Sequence, residues 1–224
     1  MKKYLMSLCA ALVLLVAAAP AKAAIINGGF ETGDFTGWTA FPSSSFTFTR
    51  TNPTITLGHT AFEGNVFAYL QTGAGTNVYT TLSQTFTANA GAVLTFNAFF
   101  QTGENLNTFF NDDGYVRIID NSNNSSTTLY SANTTLVGGG NSTPWTAGSS
   151  GVLSAGSYTI EAGVRNLNDN VVQSRLGLDN VVLANGPASA VPEPATMTML
   201  GIGVAGMFGF GLRRRRANTE ATPA

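Results

Sequence analysis

Between residues 24 and 191 the chain shows no helical periodicity; its apolar residues recur at every second position, in short runs broken by Gly, Asn, Ser and Thr. A period of two puts successive side chains on opposite faces of an extended backbone, so such runs read as half-buried strands. Leu94, Phe96, Ala98 and Phe100 share one face, with Thr95 and Asn97 on the other. Tyr158, Ile160, Ala162 and Val164 face one way, and Thr159, Glu161 and Arg165 the other. Residues 45–51 alternate phenylalanine with serine or threonine. Similar runs fall at 35–41, 66–71, 78–87, 93–101, 115–120, 127–131, 157–166 and 176–183. About nine to ten short strands with Gly-rich turns predict an all-β chain, a β-sandwich of the jelly-roll type.

The chain has 224 residues. Setting both ends aside leaves roughly 165, enough for one domain with a core of its own. Residues 24–191 carry ten acids against four arginines (Arg50, Arg117, Arg165, Arg175) and no lysine. An acidic middle argues against binding a phosphate backbone, so no nucleic-acid partner is expected. The single cysteine, Cys9, lies in the apolar N-terminal stretch, where Leu8 occupies the position at which a lipobox needs a small residue. The domain therefore has no disulfide, no thiol nucleophile and no cysteine-bound zinc. His59 is the only histidine, which excludes multi-histidine metal sites.

The ends carry targeting chemistry. Residues 1–23 read as a signal peptide with a helical apolar region: Lys2 and Lys3 open it, 5–19 are apolar, and Ala21-Lys22-Ala23 is a small-x-small site for signal peptidase before Ala24. The alternative is an uncleaved anchor, for which the apolar run is short. The sandwich is expected over 24–187. Beyond it, over 188–216, Pro192-Glu193-Pro194 precedes an uncharged stretch at 195–212, then Arg213, Arg214, Arg215 and Arg216. As a helix that stretch spans roughly 27 Å, about one hydrocarbon core. The arginines stop transfer and hold the tail, 217–224, in the cytoplasm, so the domain lies outside the membrane. Gly201, Ala205 and Gly209 recur at spacing four, a small-residue face for helix packing or a chance of a Gly-rich segment.

Pro-Glu-Pro, a Gly-rich apolar helix and a terminal arginine cluster, in that order, resemble a PEP-CTERM sorting segment, also described as an ice-binding-protein C-terminal-type motif. The resemblance covers about 25 residues and departs from the usual pattern in its longer tail. It implies that an exosortase, a membrane transpeptidase, cuts near the motif, and it associates the chain with exopolysaccharide or biofilm. The alternative is a plain single-span anchor.

The opening of the domain, Asn27-Gly28-Gly29-Phe30-Glu31-Thr32-Gly33-Asp34-Phe35-Thr36-Gly37-Trp38, resembles that of galactose-binding-like jelly rolls, including several carbohydrate-binding-module families. Gly177-Leu178-Asp179-Asn180-Val181-Val182-Leu183 resembles their last strand. The resemblance implies that these two segments meet, and that Glu31 and Asp179 are the carboxylates of a structural calcium completed by backbone carbonyls. The alternative gives Glu31 backbone amides to cap and Asp179 a turn bond.

Other candidates are weaker. Trp38 is expected in the core. Trp145, after the loop-like 138–144, would stack on a sugar ring or close over the sandwich. Residues 106–115 form a second candidate loop, in which Phe109 and Tyr115 are candidate ligand contacts; Asp112-Asp113-Gly114 is expected as a solvated turn, since its spacing is not that of an EF-hand. His59 is expected in an exposed loop, and no Gly-x-Ser-x-Gly elbow supplies a nucleophile for it. Paired carboxylates for glycoside hydrolysis remain the weakest reading. The threonines from Thr47 to Thr56 are expected on a solvent face, and the sequons at Asn124, Asn133 and Asn141 are common in so Ser/Thr-rich a chain. The function expected is that of a non-enzymatic envelope or matrix protein binding polysaccharide, with a structural or adhesive role lacking sugar affinity as the alternative.

Overall fold

The structure, a computed structural model, describes residues 24–42, 47–50, 58–105, 109–184 and 186. The signal peptide with Ala21 and Ala23, the sorting motif Pro192-Glu193-Pro194, the 195–212 helix and Arg213 to Arg216 lie outside the described residues. Among the described residues no helix is long and apolar enough to cross a membrane.

Among the described residues ten strands form: β1 (Thr39–Phe41), β2 (Thr47–Arg50), β3 (Phe67–Gln71), β4 (Thr80–Ala88), β5 (Ala92–Gln101), β6 (Asp113–Asp120), β7 (Ser125–Asn133), β8 (Thr146–Leu153), β9 (Gly156–Arg165) and β10 (Arg175–Ala184), with one helical turn, α1 (Thr134–Val137), between β7 and β8. They make two antiparallel five-stranded sheets, ordered β1-β4-β9-β6-β7 and β2-β3-β10-β5-β8. From β3 to β10 the chain changes sheet at every step except the β6–β7 hairpin. That crossing pattern, eight strands in two four-stranded sheets, is a jelly roll, with β1 and β2 added at the β4 and β3 edges.

The alternation seen in the sequence places the core between the sheets. Leu94, Phe96, Ala98 and Phe100 of β5 meet Tyr158, Ile160, Ala162 and Val164 of β9, with Leu176, Leu178 and Leu183 of β10 beside them. Trp38 is in this core, as expected, its ring 5.2 Å from that of Phe30.

Two expectations change. The 35–41 run is a strand only at Thr39–Phe41. Within the run Gly37 has a φ of 85°, and the Trp38 amide turns back to the Phe35 carbonyl at 2.8 Å, which breaks the extended run into a turn. The second change is β8, TAGSSGVL, which has no apolar alternation to announce it. It pairs with β5, Phe96 opposite Gly148, and a Cβ on Gly148 would lie 2.1 Å from the Phe96 ring. The strand contributes absence of side chain so that its neighbour's aromatic ring has room.

Candidate functional site

The opening segment and the last strand meet. The Val181 amide donates to the Gly28 carbonyl at 3.0 Å, and a Cβ on Gly28 would lie 2.0 Å from the Val181 oxygen. Gln84 holds the entry to this segment, accepting from the Ile26 amide at 2.7 Å and donating to the Ile26 carbonyl at 2.9 Å. Trp38 Nε1 donates to the carbonyls of Ile26 and Asn27. Both expected carboxylates point at the loop leading into β3. Glu31 Oε1 accepts from the amides of Asn65 and Val66, each at 2.8 Å. Asp179 Oδ2 accepts from the amides of Phe62 (2.8 Å) and Glu63 (3.1 Å), and Oδ1 from Asn180 at 2.7 Å. Asp179 is fully buried, and that burial pushes its carboxyl up to about 6, with the Glu31 charge adding to the rise against three opposing amide bonds. Among the described residues no three acidic, histidine or cysteine side chains converge on a metal-sized point.

A second feature lies on the outer face of the β3-β10-β5 sheet. Phe67 and Tyr69 of β3 and Phe99 of β5 form a fully buried aromatic cluster separate from the main core. Chain covers it. His59 stacks on Phe99 with centroids 3.9 Å apart and planes 5° apart, its Nε2 3.0 Å from Ser142 Oγ. Trp145 stands edge-on to Phe99 (4.6 Å) and Phe67 (5.5 Å), and its indole N–H donates to the Thr60 carbonyl at 2.9 Å. Trp145 packs over the sandwich face and stays partly exposed. His59 is half-buried rather than exposed, and burial lowers its pKa.

A third feature lies on the outer face of the other sheet. Alternation along β6 sends Asp113, Tyr115 and Arg117 outward, opposite Arg165, Gly163 and Glu161 of β9. Tyr115 fills the space left by Gly163, where a Cβ would be 2.7 Å from the ring. Tyr79, just before β4, stands edge-on to it at 4.9 Å. The Tyr79 hydroxyl donates to Asp113 Oδ1 at 2.5 Å, and that of Tyr115 to Glu161 Oε1 at 2.6 Å. Arg165 pairs with Asp113 at 2.8 Å and Arg117 with Glu161 at 2.6 Å, each guanidinium lying over a tyrosine ring at 4.7 and 4.9 Å. Burial, then the bond and charge of the neighbouring carboxylate, raises both phenols well above their ordinary range. Tyr79, Asp113, Tyr115 and Arg117, with outward residues of β7 such as Thr128 and Ser131, line an open depression of about 610 Å³; Glu161 and Arg165 hold these side chains from β9 without lining it.

The three candidate ligand residues thus go to three places. Trp145 roofs one sheet, Tyr115 floors a depression on the other, and Phe109 sits on a loop, 61% exposed and edge-on to Phe110. Tyr79, Arg117, Glu161 and Arg165 escaped sequence reasoning as site residues; the one available signal was the polar face of the 157–166 alternation. Asp112-Asp113-Gly114 is not a solvated turn. Asp112 is fully buried and accepts from Ser174 Oγ (2.6 Å) and the Leu167 amide (2.9 Å), while Asp113 opens β6. Asn133 caps α1, accepting from the Leu136 amide at 2.8 Å.

Residues 190–216 match the PEP-CTERM protein-sorting motif. A segment of this type implies export and a surface or extracellular destination by way of exosortase. No curated protein matches the chain. Solved structures similar to it include TmCBM61 in complex with β-1,4-galactotriose, at 13% identity and a TM-score of 0.48, covering 74% of this chain and 99% of that one. The K3 cleaved adhesin domain of Lys-gingipain from Porphyromonas gingivalis W83 is 16% identical with a TM-score of 0.46, over 73% of this chain and 100% of that one. The N-terminal CBM22-1–CBM22-2 tandem of Paenibacillus barcinonensis Xyn10C is 16% identical with a TM-score of 0.42, over 80% and 50%.

Proposed function

We propose that this chain is an exported matrix protein, cut by exosortase at its C-terminal segment, whose jelly roll binds neutral polysaccharide without catalysis at the Tyr79–Tyr115 depression. The observation that carries the reading is the composition of that depression: the Tyr79 and Tyr115 rings beside Asp113 and Arg117, each of these two charges paired with a partner on β9. Sugar rings present C–H faces that pack on aromatics and hydroxyls that both donate and accept. Asp113 and Glu161 accept, Arg117 and Arg165 donate, and the four charges cancel, which favours an uncharged hexose or pentose chain over a uronic one. The paired carboxylates are each occupied by an arginine and a tyrosine hydroxyl, which supports binding over general acid–base chemistry.

The resemblance of the two ends supports a structural calcium held by Glu31 and Asp179. Asp179 is fully buried near the charge of Glu31, and a divalent cation would relieve that repulsion; Glu31 Oε1 and both Asp179 oxygens already accept backbone amides, so such an ion would have to draw on Glu31 Oε2 and backbone carbonyls. At the membrane, signal peptidase removes 1–23, the 195–212 helix anchors the precursor transiently with the domain in the periplasm, and exosortase releases it to the surface or matrix of a biofilm.

Affinity electrophoresis against a panel of neutral polysaccharides (galactan, xylan, glucan) and acidic ones tests the binding reading. The expected result is retardation by at least one neutral polymer, weakened at least tenfold by Tyr115→Ala and by Tyr79→Ala. Retardation by none would leave the structural or adhesive role in its place.

A further inference from the structure

The outer face of the β1-β4-β9-β6-β7 sheet continues past the Tyr79–Tyr115 depression toward β1. Residues directly opposite one another in antiparallel strands share a face. The registers put Phe41 of β1 opposite Thr81 of β4, Thr81 opposite Gly163 of β9, and Gly163 opposite Tyr115 of β6. These four residues make one row across the sheet. Ala40 packs against the core, so Thr39 and Phe41 on either side of it point outward with the rest of the row. The next row holds Thr39, Ser83, Glu161 and Arg117.

An aromatic ring stands at each end of the first row. The Tyr115 ring lies over Gly163, where a Cβ would be 2.7 Å from it. Phe41 is 59% exposed, on a strand of three residues, and a ring left mostly in water contributes little to the fold. Two strand spacings separate Phe41 from Gly163, which places the two rings about 10 Å apart. That distance is longer than one pyranose ring, and the depression itself does not reach Phe41. Between the rings the surface carries the hydroxyls of Thr81 and Ser83 and no unpaired charge, since Glu161 is held by Arg117 at 2.6 Å.

We propose that Phe41 is a second aromatic platform of the same glycan site, so that the sheet takes several consecutive sugars of a neutral polysaccharide, laid across the strands from Tyr115 to Phe41. The inference rests on the reading of the Tyr79–Tyr115 depression as the binding site. Each ring packs on the C–H face of a different sugar. The Thr81 and Ser83 hydroxyls between them donate to and accept from sugar hydroxyls. A disaccharide seated on Tyr115 stops short of Phe41; a longer chain meets both rings.

Calorimetric titration of the purified full-length protein with the disaccharides and hexasaccharides of galactan, xylan and glucan tests this. For the sugar that binds, the hexasaccharide is expected to bind at least tenfold tighter than the disaccharide. Phe41→Ala should weaken the hexasaccharide at least fivefold and leave the disaccharide unchanged, with Tm within about 2 °C of wild type because the side chain is exposed. Phe41→Trp, which restores a platform, should keep hexasaccharide affinity. Tyr115→Ala should weaken both sugars. Binding that needs Tyr115 but is unaltered by Phe41→Ala, or a Phe41→Ala loss equal for the two lengths, overturns the second platform and leaves the depression standing. Binding of no sugar by the wild-type protein removes the depression reading and this one with it.

Discussion

Replacing Trp145 by alanine separates a structural roof from a sugar-stacking platform. The indole leans on Phe99 and Phe67 and stands edge-on to His59 and Phe62, with centroids 4.6 to 6.2 Å away. Its side chain is only partly exposed. Half of a Trp side chain's burial, about 100 Å² at roughly 25 cal/mol per Å², gives about 2.5 kcal/mol. Aromatic pairing adds about 0.5–1 kcal/mol, for a total near 3 kcal/mol. For a domain of this size each kcal/mol moves Tm by about 2–4 °C, so Trp145→Ala should melt about 6–12 °C lower. The thermal melt, followed by near-UV circular dichroism, is compared with affinity electrophoresis on the same protein at 15 °C. Polysaccharide affinity should hold within a factor of two, because the Tyr79–Tyr115 depression is on the opposite sheet. An unchanged Tm together with lost affinity would refute the assignment and make the outer face of the β3-β10-β5 sheet the binding surface.

Acid should loosen the same roof. His59 is neutral in the fold and its pKa is lowered by burial, so the unfolded chain takes up its proton first. The stability it sustains is complete above about pH 6.5 and falls as pH drops below that value, a slope that His59→Phe should flatten in a Tm-versus-pH series. Chelator should lower the Tm of the wild-type protein, since an ion bound only by the native state stabilises it, and Glu31→Gln should shrink that difference; equal melting with and without chelator in the wild type would remove calcium from the account. In a host with an active exosortase, intact-mass measurement should find the chain cut between Val191 and Pro194. Proline lacks the amide a helix needs and disfavours helical geometry in the residue before it, so Ala-Ala-Ala at 192–194 should leave an uncut, membrane-retained form.

The sequence by itself determined what is local. Alternation of period two in β4, β5 and β9 assigned strands and their inward faces, because each side chain's face depends only on its parity along the chain. The sorting motif was legible for the same reason: it is a contiguous run of charge and hydrophobicity. The meeting of Gly28 with Val181 was legible only through resemblance to a fold whose ends adjoin. Tertiary structure decided everything that depends on which strands become neighbours. β8 has no alternation and exists as a strand because β5 needs a partner that leaves room for Phe96. Phe99, of opposite parity to the core residues of β5, is nonetheless buried, because His59 and Trp145, 40 and 46 positions away, fold over it. Tyr79 likewise meets Tyr115, 36 positions on. No local pattern encodes such pairs, since sheet order, not sequence distance, sets which side chains share a surface.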